Sequence, residues 1–219
     1  MTPKTTVTTT TSNTSDIHAD PRHLLDRAIA TAASVISGVR ADQLDDATPC
    51  SEMDVRTMLR HLVGVLDRIT ALGQGEDPFA VVETDAPDDG WPSAWASASE
   101  RLADAWRDDA VLVRPMALPW IQGSGADILV SYFSEVTVHT WDLATATDQQ
   151  PEWDDTVIEV ALANRDFLPA EHRLELYAEI SAAMGLDEVA VPFAERVVVP
   201  DDASPIDQLV AWNGRDPRG

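Results

Sequence analysis

Apolar residues recur every three or four positions along most of this chain, and that recurrence predicts helices rather than strands. The clearest case is DPRHLLDRAIATAASVISG, where Leu24, Leu25, Ala28, Ile29, Ala32, Val35 and Ile36 form one stripe. Asp20 is placed to cap this helix, Pro21 suits its first position and Gly38 its end. A second period runs through SEMDVRTMLRHLVGVLDRITALG, with Met58, Leu62, Val65, Ile69 and Leu72 on the apolar face. Ser51 and Asp54 supply an S-x-x-D start signal and Gly73 a stop.

An acidic loop over residues 73–90 leads to WPSAWASASERLADAW, a third predicted helix buried through Trp95, Ala98, Leu102, Ala105 and Trp106. Prolines and glycines in VLVRPMALPWIQGSG predict an extended connection or a small hairpin. A helix from Gly125 to Thr147 follows, then a fifth, DDTVIEVALANRDFL, ending near Pro169. In the remainder AEHRLELYAEISAAMG reads as helical and ERVVVP as a short extended run. SPIDQLVAWNG reads as a final helix with Ser204 as cap, Pro205 first and Gly214 as stop. The expected fold class is all-α: an antiparallel four-helix bundle with short C-terminal additions.

The opening stretch, MTPKTTVTTTTSNTS, breaks the pattern, with eight threonines and no apolar run. It is expected to be neither a signal peptide nor a membrane span, and residues 1–19 read as a disordered tail. That leaves residues 20–219 as one domain with a C-terminal extension. No later stretch approaches the ~18 consecutive apolar residues of a spanning helix.

Charge narrows the partners. Against 38 acidic side chains stand 15 Lys and Arg, for a formal charge of −23, so phosphate backbones and anionic lipid surfaces are repelled. Nucleic acid and membranes are therefore poor partners. Cys50 is the sole cysteine, which excludes an intrachain disulfide and a cysteine-based zinc cluster and suits a reducing cytoplasm. The oligomeric state is not legible.

One stripe of the fourth long helix carries chemistry. In SEVTVHTWDLA, Glu135, His139 and Asp142 stand at i, i+4 and i+7 beside Ile128, Tyr132 and Val138. An inward stripe holding a carboxylate and an imidazole is costly unless something neutralises it. His61 falls on the inward face of the second helix, one turn from Met58 and Val65. His18, His23 and His172 belong to surface or tail positions. Two readings of the inward set stay open. Facing helices of bundles hold metals with acidic and imidazole groups, and a buried Glu–His ion pair closed by His61 or a tyrosine needs no metal. Asp142 either joins the ligands or, as we favour, sits behind them holding an imidazole N–H or a backbone group. Cys50, just before the second helix, is an inert loop residue or a thiol acidified by that helix.

These residues also carry a family likeness. TPCSEMDVRTMLRHLVG, followed later by SEVTVHTWDLATAT, resembles the DinB/YfiT-like metal-binding four-helix-bundle superfamily, and within it the single-domain branch related to mycothiol-dependent maleylpyruvate isomerase. The ending FAERVVVPDDASPIDQLVAWNGRDP resembles the tail of small members of that branch. In that family the ligands are a His on the second helix and an E-x-x-x-H pair on a later one, which correspond here to His61, Glu135 and His139. Met53 stands where the family's first motif usually has Trp. The two-domain isomerase has a further C-terminal domain for which this chain has too few residues, so the isomerase reaction is not expected.

The resemblance implies a divalent cofactor, Zn2+ first with Ni2+ or Fe2+ as substitutes, and a zinc-dependent transferase adding mycothiol or a similar small thiol to an electrophile. Arg56, Arg114 and Trp120 are either hydrogen-bonding partners for the sugar portion of such a thiol or ordinary surface and packing residues. The competing functions are a non-catalytic metal-binding module and non-haem iron oxygen chemistry, which also uses two His and one carboxylate.

Overall fold

The computed structural model of the protein describes residues 20–184, 191 and 193–218. The threonine-rich tail lies outside the described residues. Eight helices and one hairpin make up the described chain: α1 (Pro21–Gly38), α2 (Val55–Gln74), α3 (Trp91–Ala105), α4 (Asp109–Val113), β1 (Pro115–Leu118), β2 (Ile121–Ser124), α5 (Gly125–Ala146), α6 (Asp155–Ala163), α7 (Arg173–Met184) and α8 (Pro205–Trp212). The protein is mostly helical, as the periodicity requires.

α1 starts and ends as its sequence signals demand. Asp20 accepts a hydrogen bond from the Arg22 backbone N–H, and all seven stripe residues are buried. α2 differs at both ends. Its cap is Asp54, which accepts from the Thr57 backbone N–H at 2.8 Å, while Ser51 stands outside in a turn. Its stop is Gly75 rather than Gly73, because Gly75 is the residue in the left-handed region, at φ 79°. Gly73 is a helical residue whose missing side chain admits Trp106, with the indole nitrogen 2.7 Å from where a Cβ would stand. That nitrogen donates to the Ile69 carbonyl at 2.8 Å and locks α3 against α2.

α5 is the centre of the molecule. It begins with a capping box in which Ser124 and Asp127 satisfy each other's backbone N–H groups. It packs against α1, α2, α6 and α8, while α3 covers the other sides of α1 and α2. The core between them holds Trp91, Trp95, Trp106, Phe133 and the apolar stripes of α1 and α2. The connection before α5 is a hairpin, with Leu118 paired to Ile121 and Pro115 to Ser124.

Two C-terminal expectations shift and one holds. The fifth helix is shorter than its period, ending at Ala163 before a 3-10 turn over Arg165–Phe167. ERVVVP joins no strand among the described residues; the Val197 N–H reaches a carbonyl of α8, Ala211, at 2.8 Å, and no ladder continues it. α8 is capped by Ser204 as predicted, and Gly214 follows with φ 80°.

Candidate metal centre

His61 projects from the buried face of α2, and Glu135 and His139 project one turn apart from α5. Packing of α2 on α5 brings the three together. His61 Nε2 lies 3.0 Å from Glu135 Oε1, and His139 Nε2 lies 3.7 Å from the same oxygen. The two imidazoles meet edge to face, centroids 4.8 Å apart. One nitrogen or oxygen from each residue falls within 4.8 Å of the others, a spacing at which they can hold a metal ion. His139 is fully buried, whereas the Glu135 side chain is 20% exposed and that of His61 13%, so the cluster is sealed behind and open in front.

Behind His139 stands a second charged pair. His139 Nδ1 is 3.0 Å from Asp142 Oδ2, and a carboxylate there can only accept, so Nδ1 carries the proton. In a neutral ring the Nε2 atom then presents its lone pair to the cluster. This Nε2 is buried and has no hydrogen-bond partner among the described residues. Asp142 is in turn held by Arg215, whose Nε donates to Oδ1 at 3.1 Å and whose Nη2 donates to Oδ2 at 2.8 Å. Burial works against both ions, but the hydrogen bonds from His139 and Arg215 win, holding the Asp142 carboxyl below its ordinary value and the Arg215 guanidinium above. Phe193 stacks on the His139 ring at 5.3 Å and Arg215 lies over Phe193 at 5.2 Å.

The front of the cluster is balanced differently. Burial, the largest influence, pushes the His61 imidazole below its usual value, against the pull of Glu135. Burial would raise Glu135, yet the hydrogen bond from His61 and the nearby charges of His139, His61 and Arg68 bring it down to about 2. The second nitrogen of His61 has two neighbours, Arg68 Nη2 at 3.5 Å and Glu83 Oε1 at 4.0 Å. Tyr177 on α7 also feels the Glu135 charge, and burial pushes its hydroxyl up to about 12.

Asp142 therefore stands behind His139, on the side of the ring away from Glu135. A second group able to hold a metal, Cys50 with His139 and Asp142, shares two residues with the first. Its Asp142 oxygens and the His139 Nδ1 are already committed to each other and to Arg215, and burial pushes the Cys50 thiol up. Cys50 is not acidified by α2. His23 and His172 are exposed, and His18 lies outside the described residues. Arg56 pairs with Asp88, Arg114 donates to the Leu72 and Gly73 carbonyls that end α2, and Trp120 packs edge-on to Phe79. Each of these three has a structural task away from the cluster.

Four neighbours of the cluster escaped the sequence reading. Arg68 stands seven residues after His61, so helical spacing could have found it. Glu83 is one acid among many in the 73–90 loop, and Phe193 and Arg215 sit in C-terminal stretches without helical period around them.

Comparison with known proteins adds a family. Residues 25–144 match the sequence model described as the mycothiol maleylpyruvate isomerase N-terminal domain. That span runs from α1 through most of α5 and contains His61, Glu135 and His139. Two proteins of Mycobacterium tuberculosis, from strains CDC 1551 / Oshkosh and ATCC 25618 / H37Rv and both named only as uncharacterized, are 28% identical over 200 residues, covering 91% of this chain and 100% of each relative. No solved structure matches.

Proposed function

Because the chain belongs to the mycothiol maleylpyruvate isomerase N-terminal domain family, we propose that it is a metal-dependent thiol transferase in which His61, Glu135 and His139 hold a divalent ion, zinc before nickel or iron. One observation carries the reading: the buried Nε2 of His139, its ring oriented by Asp142, has no hydrogen-bond partner among the described residues, and a lone pair in that position calls for a cation. Two imidazoles and one carboxylate form the donor set of catalytic zinc, and the solvent-facing side of Glu135 and His61 leaves room for water or substrate. When bound, the ion would supply Lewis acidity that lowers the pKa of a thiol such as mycothiol, making it a nucleophile toward an electrophilic substrate.

The chain's own residues divide the remaining work. Glu135 contributes the negative charge that makes the donor set attractive to a dication. Asp142 and Arg215 keep the His139 ring in one tautomer and one orientation, so its nitrogen needs no reorganisation. Phe193 and the rear of α5 exclude water from the buried side. α1, α2, α3 and α5 are read as the antiparallel four-helix bundle that supports the site, with α6, α7 and α8 as C-terminal additions over residues 20–219. Among the described residues no helix is long and apolar enough to cross a membrane. With one cysteine and a thiol cosubstrate, the cytoplasm is the compartment that fits.

Elemental analysis of protein purified without chelator, beside His61→Ala, tests the ligand set. The parent is expected to retain a stoichiometric divalent metal and the variant to lose it; equal retention would overturn the assignment. Incubating the metal-loaded parent with mycothiol and a chlorinated nitrobenzene or a bimane then tests transfer. Metal retained with no rate above background would leave a non-catalytic metal-binding module.

A further inference from the structure

Arginines in this acidic chain generally sit against a carboxylate, from Arg22 with Asp20 to Arg218 with Asp216. Arg165, Arg173 and Arg196 have no ion pair among the described residues, and all three converge on one side chain. Their guanidinium carbons lie 4.8, 5.7 and 5.5 Å from the centre of the Trp212 ring. The ring offsets part of the repulsion among the three cations, and the Glu195 carboxylate, which accepts from the Arg173 backbone N–H at 2.8 Å and favours the charged Arg173, offsets more.

Beside this cluster a cavity of about 180 Å³ opens between the end of α6, the 196–201 stretch and α8. Arg165, Arg196, Trp212 and Gln208 line it, with Asp201 as the one acidic residue among the described lining residues. Val197 and Val199 supply an apolar wall. Arg165 Nε and Trp212 Nε1, both on lining residues, are buried donors with no hydrogen-bond partner among the described residues, and so is Nη2 of the fully buried Arg173. Unmade donors of this kind are costly, and their number around one cavity is unusual for a chain this rich in carboxylates.

The geometry points to a binding site here for a small organic oxyanion, a carboxylate or a phosphate monoester, distinct from the His61–Glu135–His139 cluster. The guanidinium groups of Arg165 and Arg196 supply positive charge and N–H donors to such a head group. The valines accept a short carbon skeleton. The site goes beyond the thiol transfer proposed above and stands or falls without it.

Calorimetric titration of the full chain with inorganic phosphate and, separately, with butyrate, each against chloride at matched ionic strength, tests the site and separates the two head groups. Saturable binding of at least one anion is expected, weakened about tenfold or more by Arg165→Gln or Arg196→Gln. Arg196 is exposed, so its variant keeps the fold, and circular dichroism verifies that for both. Trp212→Phe is expected to weaken binding less, since it keeps an aromatic ring against the arginines and removes no charge. His61→Ala is expected to bind the anion as the parent does. Heats no larger than the chloride control, an Arg165→Gln/Arg196→Gln double variant that binds like the parent, or equal loss in His61→Ala would each overturn the proposal.

Discussion

Arg215 donates to both oxygens of Asp142, at 3.1 and 2.8 Å, across 73 residues of sequence. Both partners are buried, at 4% and 0% exposure. The contact ties the segment after α8 to the floor of the His61–Glu135–His139 cluster, because the same Asp142 oxygen that meets Arg215 Nη2 also meets His139 Nδ1.

Truncating Arg215 should be far more damaging than removing a surface arginine. Arg215→Ala leaves the Asp142 carboxylate buried with one of its two supports gone, and losses of this kind run to about 3–5 kcal/mol. Urea unfolding checks it. A midpoint close to that of the parent would mean that Asp142 draws little support from Arg215.

Asp142→Asn should weaken the proposed metal site. The amide still meets His139 but no longer fixes its tautomer with a full charge, and losses of such outer partners reduce metal affinity by about 10–100-fold. Competition with a chromophoric chelator measures the shift. Unchanged affinity would argue that His139 is not a ligand.

The two glycines near the end of α2 should respond differently in cause but not in sign. Gly73→Ala gains about 1 kcal/mol of helix propensity, but its Cβ would stand 2.7 Å from Trp106 Nε1 and 3.1 Å from Ala105 Cβ. Overpacking costs about 1–3 kcal/mol, so a net loss on the order of 1 kcal/mol is expected. Gly75→Ala meets open space, with only Arg114 Nη1 3.7 Å away, yet must hold φ at 79°, which costs a side-chain-bearing residue about 1–2 kcal/mol. Thermal melts decide both; a Gly73→Ala protein more stable than the parent would show that Trp106 can yield.

Helix capping by Asp54 should give stability a pH dependence. Hydrogen bonds from the Thr57 side chain and backbone N–H hold the Asp54 carboxyl below its ordinary value. A carboxyl lowered on folding stabilises above its unfolded pKa, and that contribution fades as pH falls through the folded one. Asp54→Ala should therefore cost about 1 kcal/mol at neutral pH. The gap between variant and parent should narrow below about pH 4. Paired melts across that range follow it, and a constant gap would rule the carboxylate out as the source.

Cys50 should behave as a buried, inert thiol. It is 5% exposed and burial pushes its pKa up, so both access and thiolate fraction are low. A colourimetric disulfide reagent should react slowly in buffer and rapidly in urea. Fast reaction of the folded protein would revive a nucleophilic role.

Much of this molecule was legible in its sequence because much of it is local. The α1 stripe, the Asp20 and Ser204 caps and the inward placing of His61, Glu135 and His139 follow from spacings of one to four residues along a helix. Local signals misplace the ends of α2. Ser51 reads as a cap as well as Asp54 does, and Gly73 as a stop as well as Gly75, until Trp106 from another helix claims the space beside Gly73. ERVVVP has strand composition and no strand, since the adjoining segment is a helix that offers it a single carbonyl.

What the chain alone determined, then, is which faces turn inward and that three of the groups turned inward are metal-binding in kind. Only the tertiary structure decided that α2 and α5 bring those groups to one point, that Asp142 is pinned by Arg215, and that three arginines crowd Trp212. Each of these joins residues far apart in sequence, and periodicity carries no information about which buried face meets which.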